Sequence, residues 1–166
     1  MKKLMLASLT VVVTMIACSK VPISNRRQLL LVSDQELNAQ ALVSYRQFLD
    51  TNRVVSSGSS QTQMVRRVGE RIARAATQYF QSVNRPDYLN GFNWEFNLVE
   101  NKQINAWCMP GGKVVVYTGI LPVTQTEAGL ATVMGHEISH AIAKHGGERM
   151  SQGMMAQGLL AAGQVG

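Results

Sequence analysis

Two histidines and a glutamate lie close together near the C-terminal end of the chain, in the sequence H-E-I-S-H at residues 136–140. The surrounding residues are small and apolar, which is typical of a buried helix. Residues four apart share one helical face, so the imidazoles of His136 and His140 can bind one zinc ion. Glu137 points about 100° around the helix, so it can hydrogen-bond a water without binding the metal. Since zinc lowers the pKa of a bound water to about 7, the pattern predicts that Glu137 is the general base when this water attacks a peptide carbonyl.

A solvated helix that carries these residues by chance is the alternative interpretation. The three histidines of the chain, however, all lie between positions 136 and 145. Ionisable groups on an otherwise apolar helix need partners, and a metal ion is a suitable one. We therefore expect a metal centre that holds one Zn²⁺ per chain.

A third protein ligand cannot be assigned from the sequence. If one helix runs through the segment, His145 lies about 180° around it from His136, which argues against a shared metal ion. Glu148 would lie about 18 Å along the helix axis from His136. The spacing therefore predicts only two of the three ligands that a catalytic zinc site usually has.

The N-terminal residues have the pattern of a bacterial lipoprotein signal. Two lysines follow Met1, an apolar run of about a dozen residues comes next, and the run ends in Ala17-Cys18. Since the run is too short for a comfortable membrane span, we predict a signal peptide at residues 1–17 and lipidation of Cys18. Several acyl chains would then attach the protein to the outer membrane, facing the periplasm. The alternatives are an ordinary signal peptide with a free cysteine, or a short anchoring helix.

Composition and charge argue against other classes of protein. The 166 residues carry 16 Lys and Arg against 10 Asp and Glu, a net charge of +6. Two of the lysines belong to the predicted signal peptide, and the remaining excess is too small to indicate nucleic-acid binding. In an exported protein the two cysteines would by default pair, but lipidation of Cys18 leaves Cys108 as a small core residue.

Capping and hydrophobic periodicity predict an α+β fold, with helices packed on a small mixed or antiparallel sheet. A tether is predicted at residues 18–32. The predicted helices cover residues 34–50, 61–83, 127–145 and 148–162, and the predicted strands cover residues 92–98, 104–109 and 113–118. The strand at 113–118 is rich in valine, which predicts an interior position in the sheet.

The stretch from Ile104 to Ser151 contains a series of short motifs. They are Asn105-Ala106, Pro110-Gly111-Gly112, Tyr117-Thr118-Gly119, the H-E-x-x-H sequence and His145. Together they resemble peptidase family M48, whose members are zinc metallopeptidases of the gluzincin type. The resemblance implies a zincin-like peptidase domain over residues 33–166, in which a glutamate from a later helix joins His136 and His140 on the zinc.

The resemblance also implies that Asn105 and Ala106 belong to an edge strand that binds substrate. An exposed edge can pair with an extended polypeptide by β-augmentation, which would hold the scissile carbonyl near the zinc. The alternative is an ordinary strand that ends in a hairpin turn.

The later glutamate of the family does not occur in the sequence up to Gly166. We interpret the chain as a C-terminally truncated member of the family's bacterial lipoprotein branch; a degenerate member that no longer cleaves is the alternative. The first functional hypothesis is a zinc endopeptidase of the cell envelope, whose partners are unfolded or extended, misfolded polypeptides. The second is a non-catalytic lipoprotein that binds such polypeptides as a holdase or assembly factor. Glu137 favours the first hypothesis, and the missing third ligand favours the second.

Overall fold

A computed structural model of the chain describes residues 18–21 and 26–163. The predicted signal peptide lies outside these residues, and the predicted division into signal, tether and domain stays a prediction. The chain divides into two compact units, one of residues 34–142 and the other of residues 1–33 together with 143–166. Among the described helices, none has the length and apolar character needed to span a bilayer.

The described residues form five α-helices and five strands. The helices are α1 (Asp34–Thr51), α2 (Ser60–Ser82), α3 (Leu121–Thr124), α4 (Glu127–Ile142) and α5 (His145–Gly163), and the strands are β1 (Cys18–Lys20), β2 (Arg27–Leu29), β3 (Glu95–Val99), β4 (Ala106–Met109) and β5 (Lys113–Tyr117). Short 3₁₀ helices cover Pro86–Leu89 and Thr118–Ile120.

A three-stranded mixed sheet lies at the centre of the unit of residues 34–142. Its strand order is β3-β5-β4, with β5 parallel to β3 and antiparallel to β4. All five residues of β5 are buried, which confirms the interior position that its valine content predicts. The predicted α+β fold with a small mixed sheet is therefore confirmed.

The two faces of the sheet pack against different helices. On one face, Val115 contributes to a cluster that includes Tyr45 and Phe48 of α1. On the other face, Val114 and Val116 belong to the larger core cluster, which takes in buried residues of α2 and α4. Alternate residues of β5 therefore pack into two different hydrophobic clusters, as expected for a strand that is covered on both faces.

The helix α4 ends earlier than the sequence predicts. We expected it to continue to about residue 145, but it stops at Ile142, and Lys144 adopts a left-handed backbone with φ +59°. A left-handed residue cannot continue a right-handed helix, so His145 begins the separate helix α5. The helix begins at Glu127, as predicted, and the Gly129 amide donates to Oγ1 of Thr126, which caps the helix.

Two strands also begin later than predicted. The first strand of the sheet starts at Glu95 rather than residue 92, and the second starts at Ala106 rather than residue 104. Ile104 and Asn105 therefore lie in the loop that leads into β4.

The other unit contains β1, β2 and α5. The strands β1 and β2 pair antiparallel, so part of the predicted tether is strand. The guanidinium of Arg26 donates hydrogen bonds of 2.6 and 2.5 Å to the two carboxylate oxygens of Glu148. The amide of Leu31 donates to Oγ of Ser151 at 2.9 Å. These bonds attach the segment around β2 to the first turns of α5.

Candidate active site

The helix α4 buries one face and turns its two histidines away from that face. Its buried residues are Leu130, Met134, Ile138, Ala141 and Ile142. The spacing of about one turn between them is that of an amphipathic helix. His136 is exposed and His140 is half-buried, so both imidazoles are accessible while the helix stays fixed in the core.

The two imidazoles converge. The Nε2 atoms of His136 and His140 are 3.0 Å apart, and the ring planes are nearly perpendicular, at 87°. Two nitrogen ligands at about 2.0–2.1 Å from one tetrahedral ion lie about 3.3 Å apart. The separation of the two nitrogens therefore fits a shared metal ion, and neutral imidazole is a preferred zinc ligand.

Glu137 lies between the histidines in sequence and near the edge strand in space. Its side chain is half-buried. Burial, and then the negative charge of Glu137, raise the pKa of the Cys108 thiol to about 12. Cys108 belongs to β4, so the carboxylate and this strand lie within range of a direct electrostatic interaction. The thiol stays protonated at neutral pH and is not a nucleophile.

The outer edge of β4 has an open row of backbone groups. In the described part of the chain, no strand pairs with this edge. The amide of Tyr117 donates to the carbonyl of Asn105 at 3.0 Å, and pairing alternates along an antiparallel ladder. The N–H and C=O groups of Ala106 and Cys108 therefore point away from β5 and toward the open edge.

The structure places the predicted substrate-binding residues Asn105 and Ala106 differently. Ala106 is buried as a residue, and its backbone groups point away from β5, whereas the Asn105 carbonyl is already bonded within the sheet and the residue is exposed. Any contact of Asn105 with substrate would thus come from the side chain. The roles of these residues stay predictions, as does lipidation of Cys18.

Both ends of α4 are held by other elements of its unit. At the start, Arg67 of α2 donates to Glu127 through Nε at 3.1 Å and through a second guanidinium nitrogen. This hydrogen bonding holds the pKa of Glu127 below its ordinary value of 4.5. At the end, the Tyr88 hydroxyl donates to the Ile142 carbonyl at 2.9 Å. The helix that carries the histidines is therefore fixed at both termini.

A third metal ligand is not found among the residues that the structure describes. No group of three or more His, Cys, Asp or Glu side chains in that part of the chain could hold a metal ion. Glu127 is engaged by Arg67, and His145 begins α5. The glutamate that we predict beyond Gly166 stays a prediction.

Sequence reasoning missed two contacts around the site. The approach of Cys108 to Glu137 depends on how α4 lies across the sheet, which periodicity does not give. The alternation along β4 nevertheless places Cys108 and Ala106 on one face, and that face could have been assigned to α4. The ion pair between Arg67 and Glu127 had no signal in the sequence, because the two residues lie 60 positions apart in different helices.

Comparison with known proteins agrees with this fold. The sequence model of peptidase family M48 matches residues 59–165, well over half of the chain. An α+β domain with an H-E-x-x-H helix beside an open edge strand is the arrangement of a metallopeptidase. The chain belongs to peptidase family M48, and the family implies a metal ion.

The chain is similar to several proteins that are named as metalloendopeptidases or proteases. The mitochondrial metalloendopeptidase OMA1 of Schizosaccharomyces pombe is 33% identical over 133 residues, which cover 79% of this chain and 36% of that protein. OMA1 of Arabidopsis thaliana is 42% identical over 67 residues, 40% of this chain and 14% of that protein. The β-barrel assembly-enhancing protease of Yersinia pestis is 37% identical over 84 residues, 51% of this chain and 15% of that protein. The chain thus spans a third or less of most of these relatives.

Proposed function

We propose that this protein is a zinc-dependent metalloendopeptidase of the bacterial cell envelope. The observation that carries the proposal is the 3.0 Å approach of the two Nε2 atoms, with Glu137 beside them and an open strand edge nearby. Membership of a peptidase family, and relatives named as metalloendopeptidases, support it.

The side chains have distinct roles in this proposal. His136 and His140 would hold the zinc ion through Nε2. When bound, the zinc supplies Lewis-acid chemistry, which acidifies water and polarises a peptide carbonyl. Glu137 takes a proton from the attacking water as general base and returns it to the leaving amine. Its half-buried position near β4 supports this role.

The edge of β4 would hold the substrate. An extended polypeptide can accept and donate hydrogen bonds at the outward N–H and C=O groups of Ala106 and Cys108, while Asn105 offers a side-chain amide. An unfolded or extended chain presents a free strand in this way, whereas most folded proteins protect their strand edges. Unfolded envelope proteins are therefore the substrates that this geometry favours.

Membrane attachment through lipidated Cys18 completes the proposal. It is supported by the basic start, the short apolar run and the Ala17-Cys18 junction. A lipoprotein of the outer membrane that faces the periplasm would meet unfolded polypeptides during their export. A bilayer and a polypeptide are the partners that we propose, and no feature of the sequence favours nucleic acid.

A non-catalytic holdase or assembly factor is the second candidate. It is favoured by the finding that no group of three metal-ligating side chains occurs in the described residues. Such a protein would use the same strand edge to bind polypeptide but would have no need of a general base at position 137.

The experiment that separates the candidates replaces Glu137 with Gln and measures casein cleavage and zinc content together. We expect cleavage to fall by about 10²–10⁴-fold while zinc is retained, because the carboxylate acts on the water and not on the metal. Ser139→Ala is the matched control, since Ser139 is exposed on the same helix and bonds only the Gly135 carbonyl.

Three outcomes are informative. Loss of zinc in His140→Ala but not in Glu137→Gln would support the assigned roles. Full activity of Glu137→Gln would remove this residue from the general-base role. Peptide binding without any zinc-dependent cleavage, even in a longer form of the protein, would favour the holdase.

A further inference from the structure

Ile104 is the most exposed large apolar side chain in the described part of the chain, at 66%. Single exposed apolar residues are common on protein surfaces. This one, however, stands two residues before Ala106, at the open end of the edge strand. Its position, rather than its exposure alone, calls for a physical explanation.

The loop that carries Ile104 is held rigidly. The Gly119 amide donates to the Asn101 carbonyl at 2.8 Å, and Oγ1 of Thr118 both accepts from the Asn101 amide and donates to its carbonyl. A Cβ atom on Gly119 would lie 2.4 Å from the Lys102 carbonyl oxygen, so the two segments are in close contact. Because the loop is already ordered, a ligand that touches Ile104 has little loop entropy to remove.

The face of Ile104 follows from its neighbours in the edge strand. Ala106 belongs to the core shared with α4 and Cys108 packs against it, and Cys108 lies within electrostatic range of Glu137. Ile104 itself lies in the loop before β4, but the Asn105 carbonyl still pairs with β5. Side chains two apart share one face of an extended segment, and this alternation, extended from Asn105, assigns Ile104 to the same row. One end of the row lies by the general base and the other end is exposed.

We propose that Ile104 determines specificity by forming an apolar subsite for a substrate side chain; this inference rests on the proposed peptidase function. A polypeptide that pairs with β4 turns every second side chain toward the same face. One of these side chains meets Ile104, which selects Leu, Ile, Val, Met or Phe there. The preferred substrates are thus hydrophobic segments of unfolded proteins, rather than extended chains in general.

The strand spacing locates the subsite relative to the scissile bond. Ile104 and Cys108 are four residues apart, which is about 13 Å in an extended segment. When a substrate lies antiparallel to β4, the Ile104 end of this strand faces the part of the substrate that is C-terminal to the scissile bond. The scissile bond itself lies near Glu137. The selected side chain therefore lies about two to four residues C-terminal to the scissile bond.

Peptide binding to the Glu137→Gln form of the full chain tests the inference without cleavage. The probes are short labelled peptides that differ only by Leu or Ser at each position in turn, and fluorescence anisotropy reports affinity. We expect about tenfold tighter binding for Leu at one position, because its side chain is buried against Ile104. Adding Ile104→Ser should reduce this preference to about twofold, with little change for the Ser peptides.

The matched control is Val43→Ser on α1, where Val43 is also exposed, at 58%. Ile104→Val should keep most of the preference, since it keeps an apolar surface, and unchanged thermal unfolding should show that each variant folds. A Leu preference that survives Ile104→Ser would overturn the inference, as would equal binding of all peptides by the parent.

Hydrolysis assays distinguish this inference from the proposed function. If the wild-type chain cleaves peptides and its sequence preference is the same after Ile104→Ser, the subsite alone is contradicted. Binding that depends on Ile104, in a protein that hydrolyses no peptide under any metal condition, would support the subsite and contradict only the peptidase proposal.

Discussion

Arg67 of α2 donates two hydrogen bonds to Glu127, the first residue of the helix that carries the histidines. These bonds lower the pKa of Glu127 from its ordinary value of 4.5. A carboxyl whose pKa is lowered by folding stabilises the fold above its unfolded pKa and loses that contribution as the pH falls through the folded value. The start of the active helix is therefore tied to the ionisation of one exposed carboxyl.

We expect Glu127→Gln to lower the melting temperature at neutral pH and to match the wild type in acid. In acid, Glu127 of the wild type is protonated in both the folded and the unfolded state. Its ion pair then no longer stabilises the fold, so the wild type and the variant should unfold at the same temperature. Thermal unfolding between neutral pH and pH values well below 4.5 measures the effect. Asp50→Asn is the control, because an acid in the last turn of α1 opposes the helix dipole and its removal should not destabilise. A difference that persists in acid would mean that the ion pair is not its source.

Gly69 of α2 should not tolerate a side chain. A Cβ atom there would lie 2.3 Å from the ring of Phe96, which is buried in the core. We expect Gly69→Ala to lower the free energy of unfolding by about 1–3 kcal/mol through overpacking. The control is Gly135→Ala on α4, where no atom lies within 4 Å of the added Cβ and helix propensity should add up to about 1 kcal/mol. Chemical denaturation measures both, and equal effects would show that Phe96 moves aside freely.

Membrane attachment should depend on the sulfur of Cys18. We expect the Cys18→Ser protein to move from the membrane fraction to the soluble fraction, because one uncleaved apolar run of this length anchors poorly. Cell fractionation with mass analysis of the mature N-terminus is the measurement, and Cys108→Ser is the control cysteine. Equal membrane attachment of both variants would mean that lipidation does not anchor the protein.

Zinc affinity should reveal whether the site needs another ligand. Two imidazoles alone leave the remaining positions to water, whereas catalytic zinc usually has three protein ligands. We expect the 166-residue chain to bind zinc more than about 100-fold more weakly than a longer form in which an added helix supplies a glutamate ligand. Isothermal titration of both forms decides. Equal, tight, stoichiometric binding would mean that a ligand within the present chain completes the site.

The sequence predicted most of the helices and the approach of the two histidines, because both depend on local spacing. Residues four apart on a helix meet whatever the rest of the chain does, so the approach of His136 to His140 was foreseeable. The end of α4 was not foreseeable, because it depends on the left-handed backbone of Lys144, which hydrophobic periodicity does not predict. The register of the strands could not be predicted from the sequence either. Lys113 is 4% exposed and lies 2.8 Å from Glu95 only because β3 and β5 pair in parallel.

The open edge of β4 has a consequence for the rates at which backbone amides exchange hydrogen with deuterium oxide. Amides of the central strand β5 face β3 or β4 on alternate residues and should exchange slowly. Those of Ala106 and Cys108 should exchange faster than those of β5, even though Ala106 is buried as a residue, because their N–H groups face the open edge and have no partner strand there. A bound polypeptide would slow these two amides selectively, and its docking position would then be visible in the wild-type protein before any bond is cut.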